Sequence, residues 1–258
     1  MSGTGIAKIF NRAPSELLTV TGQVPGGYTF DAKYGSSTVI STSYVDVWPN
    51  ASVLSYLTTA EVINLASTSS DDDLGGVGLE KLTITGLDSN YDVISEEVTL
   101  NGTANVPTSN SYIRVFRLRG TQSNNGANTT MNVGTITATA SSSATVQGYI
   151  SPSTNNSLQA QYTVPNGFYA VFYNLQITVR AGDQANFQVL VREFESVFTL
   201  RREYNLAASA SEFFFNPPPI ISPKSDITIR AIKLAGGGTV GATVSYGFYL
   251  VPEALVSL

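Results

Sequence analysis

The chain of 258 residues contains no cysteine and no histidine. The first absence removes disulfides and thiolate metal sites, although it does not fix the redox compartment. The second excludes more, because Ser-His-Asp and Cys-His nucleophilic systems, histidine-ligated zinc and histidine proton relays all need an imidazole. Any enzymatic chemistry is left to carboxylates, lysine and tyrosine. Charge is scarce as well: Asp, Glu, Lys and Arg make up 13% of residues, against about 25% in an average soluble domain. The surface must therefore be built largely from Ser, Thr, Asn, Gln and Gly. Such surfaces occur in proteins packed against copies of themselves, in sugar binders and in extracellular β proteins. A net charge of −5 offers no footprint for nucleic acid. No run approaches 18 consecutive apolar residues, so no membrane helix is expected. The opening MSGTGIAKIFNRAPSELL lacks the apolar core and small-residue cleavage site of a secretory signal. Without that signal, the glycosylation-type triplets at Asn50, Asn101, Asn128 and Asn155 are expected by chance in so Asn-, Ser- and Thr-rich a chain.

What is present is alternation with period two. LEKLTITGL (79–87), DVISEEVTL, SYIRVFRL, GTITATA and TVQGYI set β-branched or aromatic residues between polar ones, and GLDSN, LNGTANVP and QSNNGAN supply turns. The best helical candidate, LSYLTTAEVI (54–63), reads equally well as a turn into a strand. In the second half LQAQYTVP, GFYAVFYNLQITV, NFQVLVREF, VFTLRREYNL, EFFFN, SDITIRAIKL and TVGATVSYGFYLV make seven strand candidates separated by Gly, Asn or Pro. Their spacing suits an antiparallel sandwich, and the long apolar final strand suggests a jelly roll. The expected fold is all-β: two antiparallel, jelly-roll-like sandwiches over 34–152 and 153–258, joined near SPSTNNS (151–157), behind an extended arm over 1–33. Ile6, Ile9 and Phe10 would let that arm strap onto a neighbour.

The stretch that most invites a chemical reading is TITGLDSNYDVISEEVTL (83–100). Asp88, Asn90 and Asp92 alternate like the start of a calcium loop, but the sixth and twelfth positions are Val93 and Thr99, where glycine and glutamate are needed. A hairpin explains the same residues, since Asp and Asn bond to nearby backbone in turns. Glu96 and Glu97 are adjacent on a strand and point to opposite faces, so they do not make the converging pair of a glycosidase. Asp71, Asp72 and Asp73 before two glycines are the best metal candidates, although such a run is ordinarily a solvated loop. No cofactor is expected.

Five of nine arginines lie in two short segments, Arg114, Arg117 and Arg119 in one and Arg201 and Arg202 in the other. Arg117 and Arg119 share a strand face, which points to ion pairs within a subunit or across an interface, or to an exposed face, ahead of phosphate or sugar binding. In EFFFN, Phe213 and Phe215 share one face while Phe214 takes the other, so both faces are apolar and fit burial under a neighbour. Trp48 reads as core, or else as a stacking platform for sugars.

LTITGLDSNYDVISEEVTLNGT, SYIRVFRLRG, GTITATA, LQAQYTVPNGFYAVF and PKSDITIRAI with TVGATVSYGFYLV, together spanning roughly residues 60 to 253, resemble β-sandwich virion proteins of tailed phages, notably those of marine and cyanobacterial hosts. The resemblance implies a non-enzymatic structural component of the particle. Capsid decoration or cement proteins of this kind are often homotrimers seated on the outer surface where major capsid subunits meet. Related sandwiches also serve in tails and fibres, where they bind receptors or carbohydrate. The expected partners are accordingly further copies of the chain and a major capsid protein, with no nucleic acid and no membrane.

Overall fold

The computed structural model describes residues 28–207, 210–235, 238 and 240–256. Ile6, Ile9 and Phe10 lie outside them. The described chain is antiparallel β throughout, with a single 3-10 turn at Glu253–Leu255. No helix among the described residues is long and apolar enough to cross a membrane.

The smaller of two sandwiches is contiguous in sequence. One sheet orders β6 (Val106–Tyr112), β3 (Glu61–Ser67), β8 (Ile136–Ala140) and β9 (Val146–Ile150). The other orders β5 (Val93–Thr99), β4 (Leu79–Leu87) and β7 (Arg114–Ser123). The burial of β4 follows its alternation, with Leu82 and Ile84 buried and Lys81, Thr83 and Thr85 facing out. SYIRVFRL divides at Ile113 between two strands that belong to different sheets, so the chain changes layer inside one apolar run. LSYLTTAEVI forms a loop that runs into β3, with no helical turn.

The larger sandwich orders β1 (Thr29–Ile40), β17 (Val240–Pro252), β11 (Phe168–Val179) and β14 (Ala210–Phe214) in one sheet, with β15 (Ile220–Ile221) also paired to β11. Its second sheet orders β10 (Tyr162–Thr163), β16 (Asp226–Ala235), β12 (Gln184–Arg192) and β13 (Thr199–Ala207), with β2 (Val45–Asp46) also on β16. Each sheet thus interleaves strands from the start, middle and end of the chain, as a jelly roll does. β1 pairs along β17 from Thr29↔Leu250 to Ile40↔Val240. Residues 29–46, which the sequence pattern divides between the arm and the first sandwich, therefore belong to the sheets of the second. The smaller sandwich is an insertion between β2 and β10, which share β16 as their neighbour. Local alternation marks a strand but does not name its partner, and here the partner lies more than 200 residues away.

A single apolar cluster runs through both sandwiches. Across the seam, Phe116 of β7 stacks on Tyr162 of β10 at 4.7 Å, and Tyr162 meets Phe248 of β17 at 4.6 Å. These contacts carry the smaller core into the larger without a solvent layer.

Candidate interaction surfaces

The hairpin reading of residues 83–100 holds. β4 and β5 pair from Lys81↔Thr99 to Leu87↔Val93. The turn is tied by Asp88, whose Oδ1 accepts from the N–H of Asn90 at 2.8 Å and of Asp92 at 3.0 Å. Glu96 holds the second half of β6, accepting from Ser109 N, Asn110 N and the Tyr112 hydroxyl. Glu97 lies on the other face with Lys81 and Thr121. The two glutamates do not converge.

As a metal candidate, Asp72 is corrected by its surroundings. Its side chain is fully buried, and both oxygens are saturated by protein donors. Oδ1 accepts from Leu79 N at 2.9 Å and Val133 N at 2.8 Å, and Oδ2 from the Ser67 hydroxyl at 2.6 Å and Gly134 N at 2.8 Å. A carboxylate with four short donors is a structural tie between loops, with no lone pair left for an ion. Asp73 accepts from Leu74 N, and Asp71 is exposed. No group of three or more acidic residues among the described residues is placed to hold a metal. Trp48 is 1% exposed and donates its indole N–H to Ser52 O at 2.8 Å, so it offers no stacking face.

Charged chemistry concentrates at the seam between the sandwiches. Arg114 of β7 reaches across to Asp226 of β16, with Nε to Oδ1 at 2.8 Å and Nη2 to Oδ2 at 3.2 Å. Asp226 also accepts from Arg192 Nε at 2.8 Å and from the Thr163 hydroxyl at 2.6 Å. Beside it Asp46 accepts from Arg230 Nε, the Thr228 hydroxyl and Leu54 N. Tyr56 and Phe198 fill the spaces between the guanidiniums, with Arg192 4.6 Å from the first ring and 4.8 Å from the second. Burial holds the Tyr56 phenol well above its usual range, and the nearby Asp226 and Asp46 add to that. None of these partners is adjacent in sequence.

A second seam cluster is built differently. Lys33 of β1, only 3% exposed, donates to Phe116 O at 2.6 Å. Burial, reinforced by Arg117, lowers its ammonium to about 7. Arg117 donates to Ala32 O at 3.0 Å and stands 3.8 Å from Asp31. Arg119, next on the same face, is exposed. Arg201, in contrast, pairs with Glu193 at 2.8 Å on the surface. With Arg202 it flanks a groove of about 270 Å³ whose apolar wall includes Phe172, Val189 and Phe215.

Phe213 and Phe215 both pack on the core, Phe213 against Tyr204 at 4.2 Å and Phe215 against Phe172 at 5.7 Å. Phe214 points outward and is 61% exposed. It is the end of a stripe that crosses four strands of the jelly roll's outer face: Phe30 on β1, Tyr249 on β17, Tyr173 on β11 and Phe214 on β14. Successive ring centroids lie 5.3, 5.8 and 5.7 Å apart in edge-to-face geometry, the preferred arrangement for aromatic pairs. Alternation with the buried Ala170 and Phe172 turns Tyr173 outward, and the irregularity between Phe172 and Asn174 keeps Asn174 on the same side before Leu175 turns in. Gly247 permits the stripe's near end, because a Cβ there would come within 2.5 Å of the Phe30 ring. The sequence pattern singles out Phe214 but not the other three rings, which are far apart along the chain.

No protein-family model matches the chain, and no curated protein does. Among solved structures it is similar to that of the infectious bursal disease virus Gt strain, at 12% identity over 95% of this chain and 79% of that one, with a TM-score of 0.22. The PBSX exported protein XepA aligns at 11% identity over 84% of this chain and 86% of that one, TM-score 0.20. The infectious bursal disease virus VP2 subviral particle aligns at 8% identity over 94% and 78%, TM-score 0.24. Scores of this size do not establish a common fold, and the jelly-roll assignment rests on the strand order itself.

Proposed function

We propose that this chain is a non-enzymatic structural protein of a virus particle, a capsid decoration or cement protein that binds across major capsid subunits as a homotrimer. The observation that carries the reading is the outward aromatic stripe Phe30–Tyr249–Tyr173–Phe214 on the jelly roll. Aromatic side chains dominate binding energy at protein interfaces because they bury large area at little entropic cost. A shell component gains strength by burying such area at many repeated contacts, with a standard interface of about 1,600 Å². The weakly charged surface noted in the sequence supports the same reading. So does the seam, where the Asp226 cluster and the Phe116–Tyr162–Phe248 contacts tie the two sandwiches together.

The test is the copy number of this chain relative to the major capsid protein, measured by quantitative mass spectrometry on purified particles of the virus that encodes it. Hundreds of copies are expected. A handful, in multiples of three or six, would replace the shell reading with a tail or fibre component. Absence from the particle would overturn both.

A further inference from the structure

The second seam cluster is a pocket of about 200 Å³ lined by Lys33, Tyr34, Arg117, Arg119, Asn156 and Ser157. A shallower hollow shares Arg117 and Arg119 and adds Thr83, Thr85, Gly120 and Thr121. Two guanidiniums and the Lys33 amine, which is partly protonated at neutral pH, therefore border one cavity, in a chain whose net charge is −5. Their counter-charge is thin. Asp31 lies 3.8 Å from Arg117, and no carboxylate among the described residues is within ion-pair distance of Arg119; Glu97, which accepts from Thr121 at the rim of the hollow, is paired with Lys81. The Lys33 ammonium spends one of its three N–H bonds on Phe116 O. At the same cavity the Asn156 Oδ1 is buried and has no donor. Elsewhere in the molecule arginines that line cavities on the seam are matched to carboxylates, as at Asp226, so this surplus calls for an anion.

We propose that this pocket binds a phosphate group. Tetrahedral oxyanions present several acceptor oxygens at once, which suits an ammonium and two guanidiniums arriving from different strands better than a two-oxygen carboxylate does. Inorganic phosphate at neutral pH also keeps a P–O–H bond, and that proton is the donor the Asn156 oxygen lacks. Sulfate carries no such proton, so the pocket discriminates between two ions of similar shape. The neighbouring Thr83 and Thr85 would meet the hydroxyls of a sugar if the phosphate were esterified to one; a monoester is mostly the dianion at pH 7 and brings no P–O–H proton, so a sugar hydroxyl would then be the donor to Asn156. Because Lys33 stands on the jelly roll and Arg117 and Arg119 on the inserted sandwich, the bound group would also link the two bodies and stabilise the folded chain by mass action.

The experiment is isothermal titration of the full chain with sodium phosphate, sodium sulfate and glucose 6-phosphate at pH 7 and constant ionic strength, alongside Arg119→Gln and Arg117→Gln. Phosphate should bind in the wild type, more tightly than sulfate, and each substitution should weaken it about ten- to hundredfold, the loss of a charge-assisted contact. Circular dichroism on the variants controls for folding, since Arg119 is an exposed strand residue whose replacement leaves the sandwich intact. Tighter binding of glucose 6-phosphate than of phosphate would identify an esterified source; equal or weaker binding would identify the free ion. No phosphate heat at millimolar concentration, or binding unchanged in both variants, would overturn the site. Equal affinity for sulfate would overturn the role given to Asn156.

Discussion

The two charged clusters at the seam use the same strand and opposite electrostatics. Arg114 and Arg117 stand three residues apart on β7, and both reach toward the jelly roll. At Arg114 the charges close: Asp226 takes two guanidiniums and a hydroxyl, and the aromatic rings of Tyr56 and Phe198 fill the remaining space. At Arg117 they do not close, because among the described residues Asp31, 3.8 Å from Arg117, is the one carboxylate in ion-pair contact with Lys33, Arg117 or Arg119. Arg114 and Asp226 are buried and matched to each other, as buried charge requires; in the second cluster only Lys33 is buried, while Arg117 and Arg119 keep guanidinium donors open to the cavity. The first cluster is therefore a joint, and the second a place for a ligand.

The strongest way to break that contrast is Asp226→Ala. It leaves Arg114 buried with no counter-charge and frees Arg192 and Thr163, and loss of one partner of a buried pair costs about 3–5 kcal/mol. Urea unfolding should show the loss directly, while Arg119→Gln in the same assay should stay within about 0.5 kcal/mol of wild type. Similar values for the two would remove the distinction between joint and ligand site.

Asp72→Asn tests a satisfied carboxylate inside one sandwich. The new amide NH₂ must face an N–H or O–H donor among Leu79, Val133, Gly134 and Ser67, so a stability loss of about 1–3 kcal/mol is expected. If Asp72 held a metal instead, the loss would depend on added calcium and vanish in chelator. Stability independent of both is the expected outcome.

Lys33→Met sharpens the contrast from the other side. The buried ammonium has its pKa lowered from 10.5 to about 7, so the unfolded chain holds a proton there that the folded chain releases. Between pH 7 and about 10 the unfolded state binds more protons, and this group makes stability rise with pH by up to about 1.4 kcal/mol per unit. Below pH 7 both states are protonated and the penalty is constant. Methionine removes the titration but also leaves Phe116 O without its donor. The net gain at pH 7 should be about 1–2 kcal/mol, shrinking as pH rises toward 10. A difference between variant and wild type that stays flat over pH 7–10 would show that Lys33 is not desolvated.

How far the sequence discloses this molecule depends on the distance over which each feature acts. β4, β11, β12, β16 and β17 coincide within a few residues with alternating runs, because alternation is a local property that burial of one face imposes. The hairpin at Asp88 was legible for the same reason. The insertion was not, because β1 finds β17 across the whole chain and carries no mark of that choice. Trp48 showed only its size, and its burial depended on neighbours brought by β2 and β16. Among the arginines, clustering at 114–119 was visible, but Asp226, Asp46 and Lys33 are lone charged residues in unremarkable strands. Asp72 misled because a run of three carboxylates looks solvated until the loops that donate to the middle one are in place.

The smallest expected change in stability belongs to the residue with the largest proposed role in assembly. Phe214→Ser removes an exposed ring whose contacts are confined to the outer face, so unfolding free energy should move by less than about 0.5 kcal/mol. Phe213→Ser, one residue earlier, takes a ring off Tyr204 and the core and should cost about 1–3 kcal/mol. If the stripe is the contact surface, Phe214→Ser abolishes or weakens at least tenfold the binding of the purified chain to particles lacking it, while Phe213→Ser binds normally whenever it is folded. The reverse ranking would move the interface off the jelly roll's outer face. Because strand alternation puts these neighbours on opposite sides of one sheet, the pair separates folding from assembly with a single side chain each.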